Sequence, residues 1–318
     1  MKYYCILCDA VLYLICLNRR MYMSRYVCID IGGTAIKYGL ADELGKLLDK
    51  GSMETRAQDG VSAILHRIKE QVAAYQLQQS LDGIAVSTAG MVDPATGSIL
   101  FAGNNLPGYT GTEVKAILER ECGIPCEVEN DVNCAGLGEL WLGAGQGSKS
   151  LVCITVGTGI GGCVILDGHL VHGAGCCAGE IGYMEIGEAG TLEQTAAVPQ
   201  LLHEVAAARK LPPETVDGAM VFRLARTGDA DAVNALEHMM LRLAKGIANI
   251  CYVLNPERVI LGGGIMAQRE YLGPRMAFIL KQRMVPAVWD STRLEFAALG
   301  NDAGMLGALY NFLQKHRI

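Results

Sequence analysis

The segment CEVENDVNCAGLGEL, residues 126–140, puts one carboxylate where a short strand gives way to a helix. Cys126, Val128 and Asn130 alternate as strand residues do, whereas Ala135, Leu137 and Leu140 begin a helix, so Asp131 falls at the helix N-terminus. Free backbone N–H groups and the helix dipole favour an anion there. Held by its neighbours Asn130 and Asn133, such a carboxylate has a fixed direction and stays ionised near neutrality, as a general base acting on a hydroxyl must. Asp is also among the commonest helix caps, and this segment alone does not separate the two roles.

Two glycine-rich turns add a second kind of chemistry. In YVCIDIGGTAIKYGLAD, residues 26–42, an apolar strand, a turn and a second alternating strand form a hairpin with DIGGT, residues 30–34, at its tip. Glycines let a backbone approach a ligand closely, and a run of turn N–H groups makes an anion-binding concavity. A single copy would be an ordinary hairpin turn. The arrangement recurs, however, in LVCITVGTGIGGCVILDG, residues 151–168, which implies two related lobes facing one cleft.

Two near-matches to nucleotide motifs fail on their context. Residues 157–162, GTGIGG, satisfy GxGxxG, but the dinucleotide fingerprint must open a helix and the following CVILDG reads as a strand. GAGQGSKS at 143–150 approaches a phosphate-binding P-loop, yet Ser148 replaces its second Gly and the segment leads from a helix into a strand. It reads as a connector.

The elements that must hold these groups are those of an α/β protein. With 318 residues, 51% of them hydrophobic, the chain can bury two cores, so two lobes and a cleft are expected. A net charge of −6 and a pI near 5.6 argue against a broad nucleic-acid surface. Of twelve cysteines, Cys28, Cys134, Cys153, Cys163 and Cys251 sit singly in apolar runs, which suits reduced thiols and a cytoplasmic location. Helical spacing of Ile64, Ile68, Val72 and Tyr75 predicts a helix over 61–77, and residues 82–88 read as a buried strand. The polar stretch from Thr88 to Thr112 is long for a loop, which favours binding, and its Asn104 and Asn105 suit sugar hydroxyls as well as turns. Residues 229–254 place Leu236, Met239, Met240, Leu243, Ile247, Ile250, Cys251 and Leu254 on one helical face; 258–265 is strand then glycine turn, and Ala303 to Leu313 form a last helix packing back on the first lobe. Residues 1–24 stand apart: their apolar run is short of a membrane span and is read as an extension outside the fold, translated upstream of the true start.

Taken together, DIGGT with Lys37, STAGMVD, NNLPGYTG, VENDVNCAGLGE, TVGTGIGG, AGEIGYM, VILGGGI and GNDAGMLGAL resemble, in order and spacing, the ROK family of repressors and sugar kinases over about residues 25–318. The resemblance implies the actin-like ATPase fold: two ribonuclease H-like lobes, residues 25–130 with 304–318 and residues 131–303, with ATP and sugar in the central cleft. It implies Asp131 as the base for a sugar 6-hydroxyl and Asp30 as the holder of Mg²⁺ through water. Gly32, Gly33, Thr34 and Lys37, with Gly157, Thr158, Gly159 and Gly161, are implied at the phosphates, and Gly262, Gly263 and Gly264 near the nucleotide. Gly90, Asn105, Asn130, Glu180 and Glu193 match sugar-contacting positions. A homodimer without nucleic-acid or membrane partners is the expected assembly.

One departure narrows the expectation. Most members of the family carry a zinc-binding His after AGE-x-G, followed by a Cys-rich module; here Tyr183 holds that position and EIGEAGTL, residues 185–192, has no Cys. Structural zinc needs about four such ligands, so no zinc site is expected, and the spacing of His169, His172, Cys176 and Cys177 fits no common zinc pattern. The zinc-free pattern resembles the β-glucoside kinase branch, with glucokinase and N-acetylmannosamine kinase as rivals. A sugar-responsive ROK regulator is the alternative from another class, but it would need a basic winged helix-turn-helix ahead of DIGGT, for which the 24 residues before Arg25 are expected to be too few and too apolar. Because the implied ligands divide between lobes, transfer should require the lobes to close about hinges near 129–131 and 300–304.

Overall fold

The computed structural model describes residues 24–103, 105–187 and 190–316, so the expectations for the N-terminal extension and for Asn104 lie outside the described residues. In chain order the strands are β1 (Arg25–Ile31), β2 (Ala35–Asp42), β3 (Leu47–Glu54), β4 (Gly83–Thr88), β5 (Met91–Asp93), β6 (Ser98–Phe101), β7 (Cys126–Asn130), β8 (Leu151–Val156), β9 (Ile160–Leu166), β10 (His169–Leu170), β11 (Arg258–Gly262) and β12 (Arg293–Phe296). The helices are α1 (Val61–Gln76), α2 (Val114–Cys122), α3 (Asp131–Leu142), α4 (Leu192–Ala196), α5 (Val198–Arg209), α6 (Gly218–Arg226), α7 (Ala230–Leu254), α8 (Arg269–Arg283), α9 (Pro286–Ser291) and α10 (Ala303–His316).

The strands make two five-stranded sheets of one topology, β3-β2-β1-β4-β7 and β10-β9-β8-β11-β12. In each, the first strand runs antiparallel to the second and parallel to the fourth. Alternation along the first strand sends its side chains to two layers. Val27, Ile29 and Ile31 join the core under α1 and α2, whereas Tyr26 and Cys28 meet Met305, Leu309 and Phe312 of α10. Asp30 is next in that second row. Likewise Val152, Ile154 and Val156 join the core containing α7, while Leu151 and Cys153 pack with Leu137 of α3, and Thr155 continues their row.

Helices α3 and α10 lie between the sheets and cross in close contact. A Cβ on Gly307 would stand 1.6 Å from the Cys134 carbonyl oxygen, and one on Gly138 would stand 2.6 Å from that of Ala303, so only glycine permits this approach. The fully buried Glu139 carboxylate fixes the crossing further by accepting the backbone N–H groups of Ala144, Ala298 and Leu299 at 2.7, 2.9 and 2.9 Å.

Most of the local readings are met. α1 buries Ile64, Ile68, Val72 and Tyr75, and α7 buries the expected stripe apart from the partly exposed Leu254. The five cysteines in apolar runs are buried and free. The stretch from Thr88 to Thr112 is a different matter, for it is not a plain loop: Met91–Asp93 and Ser98–Phe101 pair as an antiparallel hairpin. Its tight turn is built by Asp93, which accepts from Ala95 N–H and Thr96 Oγ1, and by Gly97 at φ 66°. No helix among the described residues is long and apolar enough to cross a membrane.

Candidate active site

The cleft between the sheets holds a cavity of about 360 Å³ lined by residues of both halves. Asp131 faces it from the first turn of α3 without capping that helix. Asn130, not Asp131, is the N-cap: its Oδ1 accepts the N–H groups of Val132 and Asn133 at 2.9 and 3.0 Å. The amide Nδ2 of Asn130 donates to Asp131 Oδ1 and to the Gly90 carbonyl, each at 2.9 Å, tying the carboxylate to the turn after β4. Asp131 Oδ1 also accepts from Val132 N–H at 2.9 Å. Burial, and then the negative charge of Asp30, push this carboxyl up to about 6, against the pull of the Val132 and Asn130 donors. The group is therefore mostly ionised at neutral pH yet basic enough to accept a proton.

Asn133 does not hold Asp131, contrary to expectation. Its amide reaches back across the strand-to-helix junction to Oε1 of Glu129, the next-to-last residue of β7, at 3.0 Å. Glu129 is fully buried, and its Oε2 takes the ring nitrogen Nε2 of His172 at 2.8 Å. His172 belongs to the segment that leads to Glu180, so this pair fastens the end of β7, which leads into α3, to the loop carrying another candidate ligand. His169 is spent on the carbonyl of Asp167, and among the described residues no group of three or more His, Cys, Asp or Glu side chains could hold a metal.

Asp30 sits at the end of β1, with Oδ2 accepting from Lys37 Nζ at 3.0 Å and Oδ1 from Ser87 Oγ at 2.7 Å. Lys37 is its antiparallel register partner and Ser87 its parallel one, so the sheet itself assembles the trio. The N-terminus of α10 comes so close that a Cβ on Gly304 would lie 3.0 Å from the Asp30 carboxyl carbon. Two carboxylates, Asp30 and Asp131, near enough to raise one pKa are a fitting donor set for a hard cation that also takes phosphate oxygens.

A second carboxylate pair lies elsewhere in the cleft. Glu193, in the first turn of α4, accepts Ile160 N–H at 2.9 Å; the Thr191–Gln194 capping box starts that helix. The Glu180 carboxyl is raised by burial and then by the charge of Glu193. A Cβ on Gly159 would approach Glu193 Oε2 to 2.5 Å, so a larger residue there would displace that carboxylate.

Of the expected residues, Gly90, Asn130, Asp131, Gly157, Thr158, Gly159, Gly161, Glu180, Glu193 and Gly263 line the cavity. Asp30, Gly32, Gly33, Thr34, Lys37, Asn105, Gly262 and Gly264 are not in its lining. Asn105 is exposed, with its Cβ 3.1 Å from where a Cβ on Gly33 would be. Sequence reasoning missed Ser87, Thr155, Met91, Phe101 and the pairing of Glu129 with His172. Only Ser87 had a signal, as a polar residue that follows the apolar run of the fully buried strand β4.

The ROK family profile matches residues 26–315. A β-glucoside kinase of Listeria monocytogenes is 34% identical over 92% of this chain and 98% of its own length. A glucokinase of Halalkalibacterium halodurans is 32% identical over 89% and 93%. Among solved structures, a ROK family glucokinase from Streptomyces griseus in complex with glucose and AMPPNP superposes with a TM-score of 0.77 at 28% identity, covering 90% of this chain and 98% of that one. Such sugar kinases have the actin-like ATPase fold, so the two sheets described above are its two ribonuclease H-like halves.

Proposed function

The chain belongs to the ROK family, and on that premise we propose that it is an ATP-dependent sugar kinase acting on the 6-hydroxyl of a glucose-type sugar or β-glucoside. The observation that carries this reading is Asp131: a carboxylate relieved of capping by Asn130, aimed into the cleft, and raised to about 6. In the reaction Asp131 Oδ2 takes the proton of the attacking hydroxyl, while the Asn130 amide holds Oδ1 in place. Glu180 and Glu193 accept hydrogen bonds from sugar hydroxyls further along the cavity.

Phosphoryl transfer needs positioning and charge neutralisation more than covalent chemistry from the protein. Within the turns expected at the phosphates, Gly32, Gly157 and Ile160 already donate their N–H groups to Ala35, Gly159 and Glu193, so Gly33, Thr34, Thr158 and Gly159 are the donors that suit the phosphates, and Gly262 to Gly264 border the nucleotide. Asp30 would hold Mg²⁺ through water, and the ion when bound offsets charge on the transferred group. With 25–130 and 304 onward as one lobe and 131–303 as the other, closure excludes water that would compete for the phosphoryl group. A panel of hexoses, N-acetylhexosamines and β-glucosides, assayed for ATP-dependent phosphorylation with wild type and Asp131→Asn, tests the proposal. Product phosphorylated at the 6-position by wild type alone supports it; turnover of none of the panel removes it.

A further inference from the structure

Among the described residues Glu129 and Glu139 are both fully buried, and they differ in what their oxygens hold. Glu139 accepts only backbone N–H groups around the crossing of α3 and α10. The donors to Glu129 come from two working parts of the cleft. Its Oε1 accepts the backbone N–H of Asn130 at 2.9 Å and the side-chain amide of Asn133 at 3.0 Å, residues on either side of Asp131. Its Oε2 accepts from Nε2 of His172, at 2.8 Å, in the segment that leads to Glu180. Glu129 is not in the cavity lining, so whatever it contributes to turnover passes through these partners.

Sheet register explains why a carboxylate stands at this point. Lys37 pairs with Asp30, Asp30 with Ser87 and Ser87 with Glu129, so one polar row crosses β2, β1, β4 and β7. Residues in register on neighbouring strands share a face of the sheet. β7 is the last strand of that sheet, and there the row continues to His172, which follows β10 of the second sheet. The His172 carbonyl accepts Ala178 N–H at 3.0 Å, closing a loop two residues before Glu180. Gly179 packs so tightly on β9 that a Cβ there would collide with the Gly162 carbonyl oxygen, so Glu180 is placed by these two anchors together. On the other side, the Asn130 backbone that Glu129 holds carries the amide that grips Asp131 Oδ1.

We infer that Glu129 is a positioning residue with two separable effects: through Oε1 it sets the Asn130–Asp131 junction for proton transfer, and through Oε2 and His172 it sets the Glu180 loop for sugar binding. The inference rests on the sugar-kinase reading above and deepens it by a residue that touches no substrate. Losing the Oε1 contacts misaligns the base with the attacking hydroxyl and lowers kcat, because a misplacement of about 1 Å can cost about 10²-fold. Losing the Oε2 contact loosens a group that holds the sugar equally in the ground and transition states, which raises KM and spares kcat.

The test measures kcat and KM, with the panel sugar that wild type turns over best, for Glu129→Ala, Glu129→Gln, His172→Ala and the double alanine variant. Each kcat is divided by the native fraction from circular dichroism. His172→Ala is expected to raise KM about 10-fold with kcat within about three-fold of wild type. Glu129→Ala should raise KM by the same factor and also lower kcat about 10-fold or more. In the double variant KM should rise no further, since the shared contact is already gone. Glu129→Gln keeps an oxygen for Asn130 and Asn133 and turns its amide to His172, whose Nε2 can accept in the other tautomer, so kcat should stay within about three-fold of wild type. A merely structural carboxylate would leave the corrected kcat of Glu129→Ala at the wild-type value, which would overturn the inference while leaving the kinase standing. So would KM effects that multiply in the double variant, or equal falls of kcat in the two single alanine variants. If Glu129→Ala does not fold, Glu129→Asp, which keeps the charge but withdraws both oxygens by one carbon, replaces it in each comparison. Absence of wild-type turnover with every sugar would remove the kinase and this inference together.

Discussion

The two sheets place Asp30 and Thr155 at equivalent positions, each one residue before the end of the strand that precedes a glycine turn. Around Asp30 the neighbouring strands contribute Lys37 and Ser87; around Thr155 the same register contributes Gly161 and Gly262. One backbone arrangement therefore carries a charged trio in the first half and a bare, small-residue floor in the second. Side-chain identity, not topology, divides the work. The first turn anchors charge beside Asp131, and the second leaves backbone N–H groups and open space for a ligand to approach.

Substitutions can break this comparison. The largest effect is expected at the group both turns face: Asp131→Asn should lower kcat by about 10²–10⁴-fold with the fold kept, since Asn130 still caps α3. Steady-state kinetics beside a thermal melt checks both halves of that statement, and near-normal kcat would make Asp131 a structural residue. Next, Asp30→Asn should cost about 10²-fold or more and raise the Mg²⁺ requirement, because charge stabilisation through a metal is worth several kcal/mol. Thr155→Ala, its counterpart, should cost less than about 10-fold, the scale of one neutral hydrogen bond. Equal losses would mean that the two turns do the same work.

The pH profile sharpens the same contrast. Asp131 acts when deprotonated, so kcat/KM should rise with pH through a limb near 6, far above the ordinary 3.8 of an Asp. Since the Asp30 charge is one cause of that elevation, the residual activity of Asp30→Asn should show the limb displaced to lower pH. No displacement would place the two carboxylates out of electrostatic reach. Smaller still is the effect of His172→Ala, which leaves the buried Glu129 carboxylate short of a donor. It should lose about 1–3 kcal/mol of stability in denaturant titration, with sugar KM raised because the Glu180 loop loosens. His172→Gln, retaining a donor, should recover part of both. The smallest expected effect is none: elemental analysis should find no stoichiometric zinc, and a zinc-selective chelator should leave turnover unchanged.

Much of the scaffold was legible because its causes are local. Alternation with a period of two marked β1, β2, β8 and β9, and helical spacing marked α1 and α7; both depend on residues a few positions apart. The junction at Asp131 was legible for the same reason, although the identity of the cap, Asn130, was not. Asp and Asn are both good caps, and only the dihedral angles of Asn130, φ −61° and ψ 147°, decide which residue stands just outside the helix. The hairpin at 91–101 was read as loop because its strands are three and four residues long, too short for a period to emerge.

What the sequence by itself determined is the longer periodic elements, the two glycine turns and the single carboxylate at a strand-to-helix junction. Only the tertiary structure decided which groups surround them. Ser87 reaches Asp30 across 57 residues and His172 reaches Glu129 across 43, and neither partnership exists until parallel pairing and the insertion after β10 bring the segments together. Phe101 and Tyr183 meet one cavity from opposite halves for the same reason. Propensity and hydrophobic period act over a few residues, whereas a site between lobes is made by contacts whose sequence separation is set by topology alone.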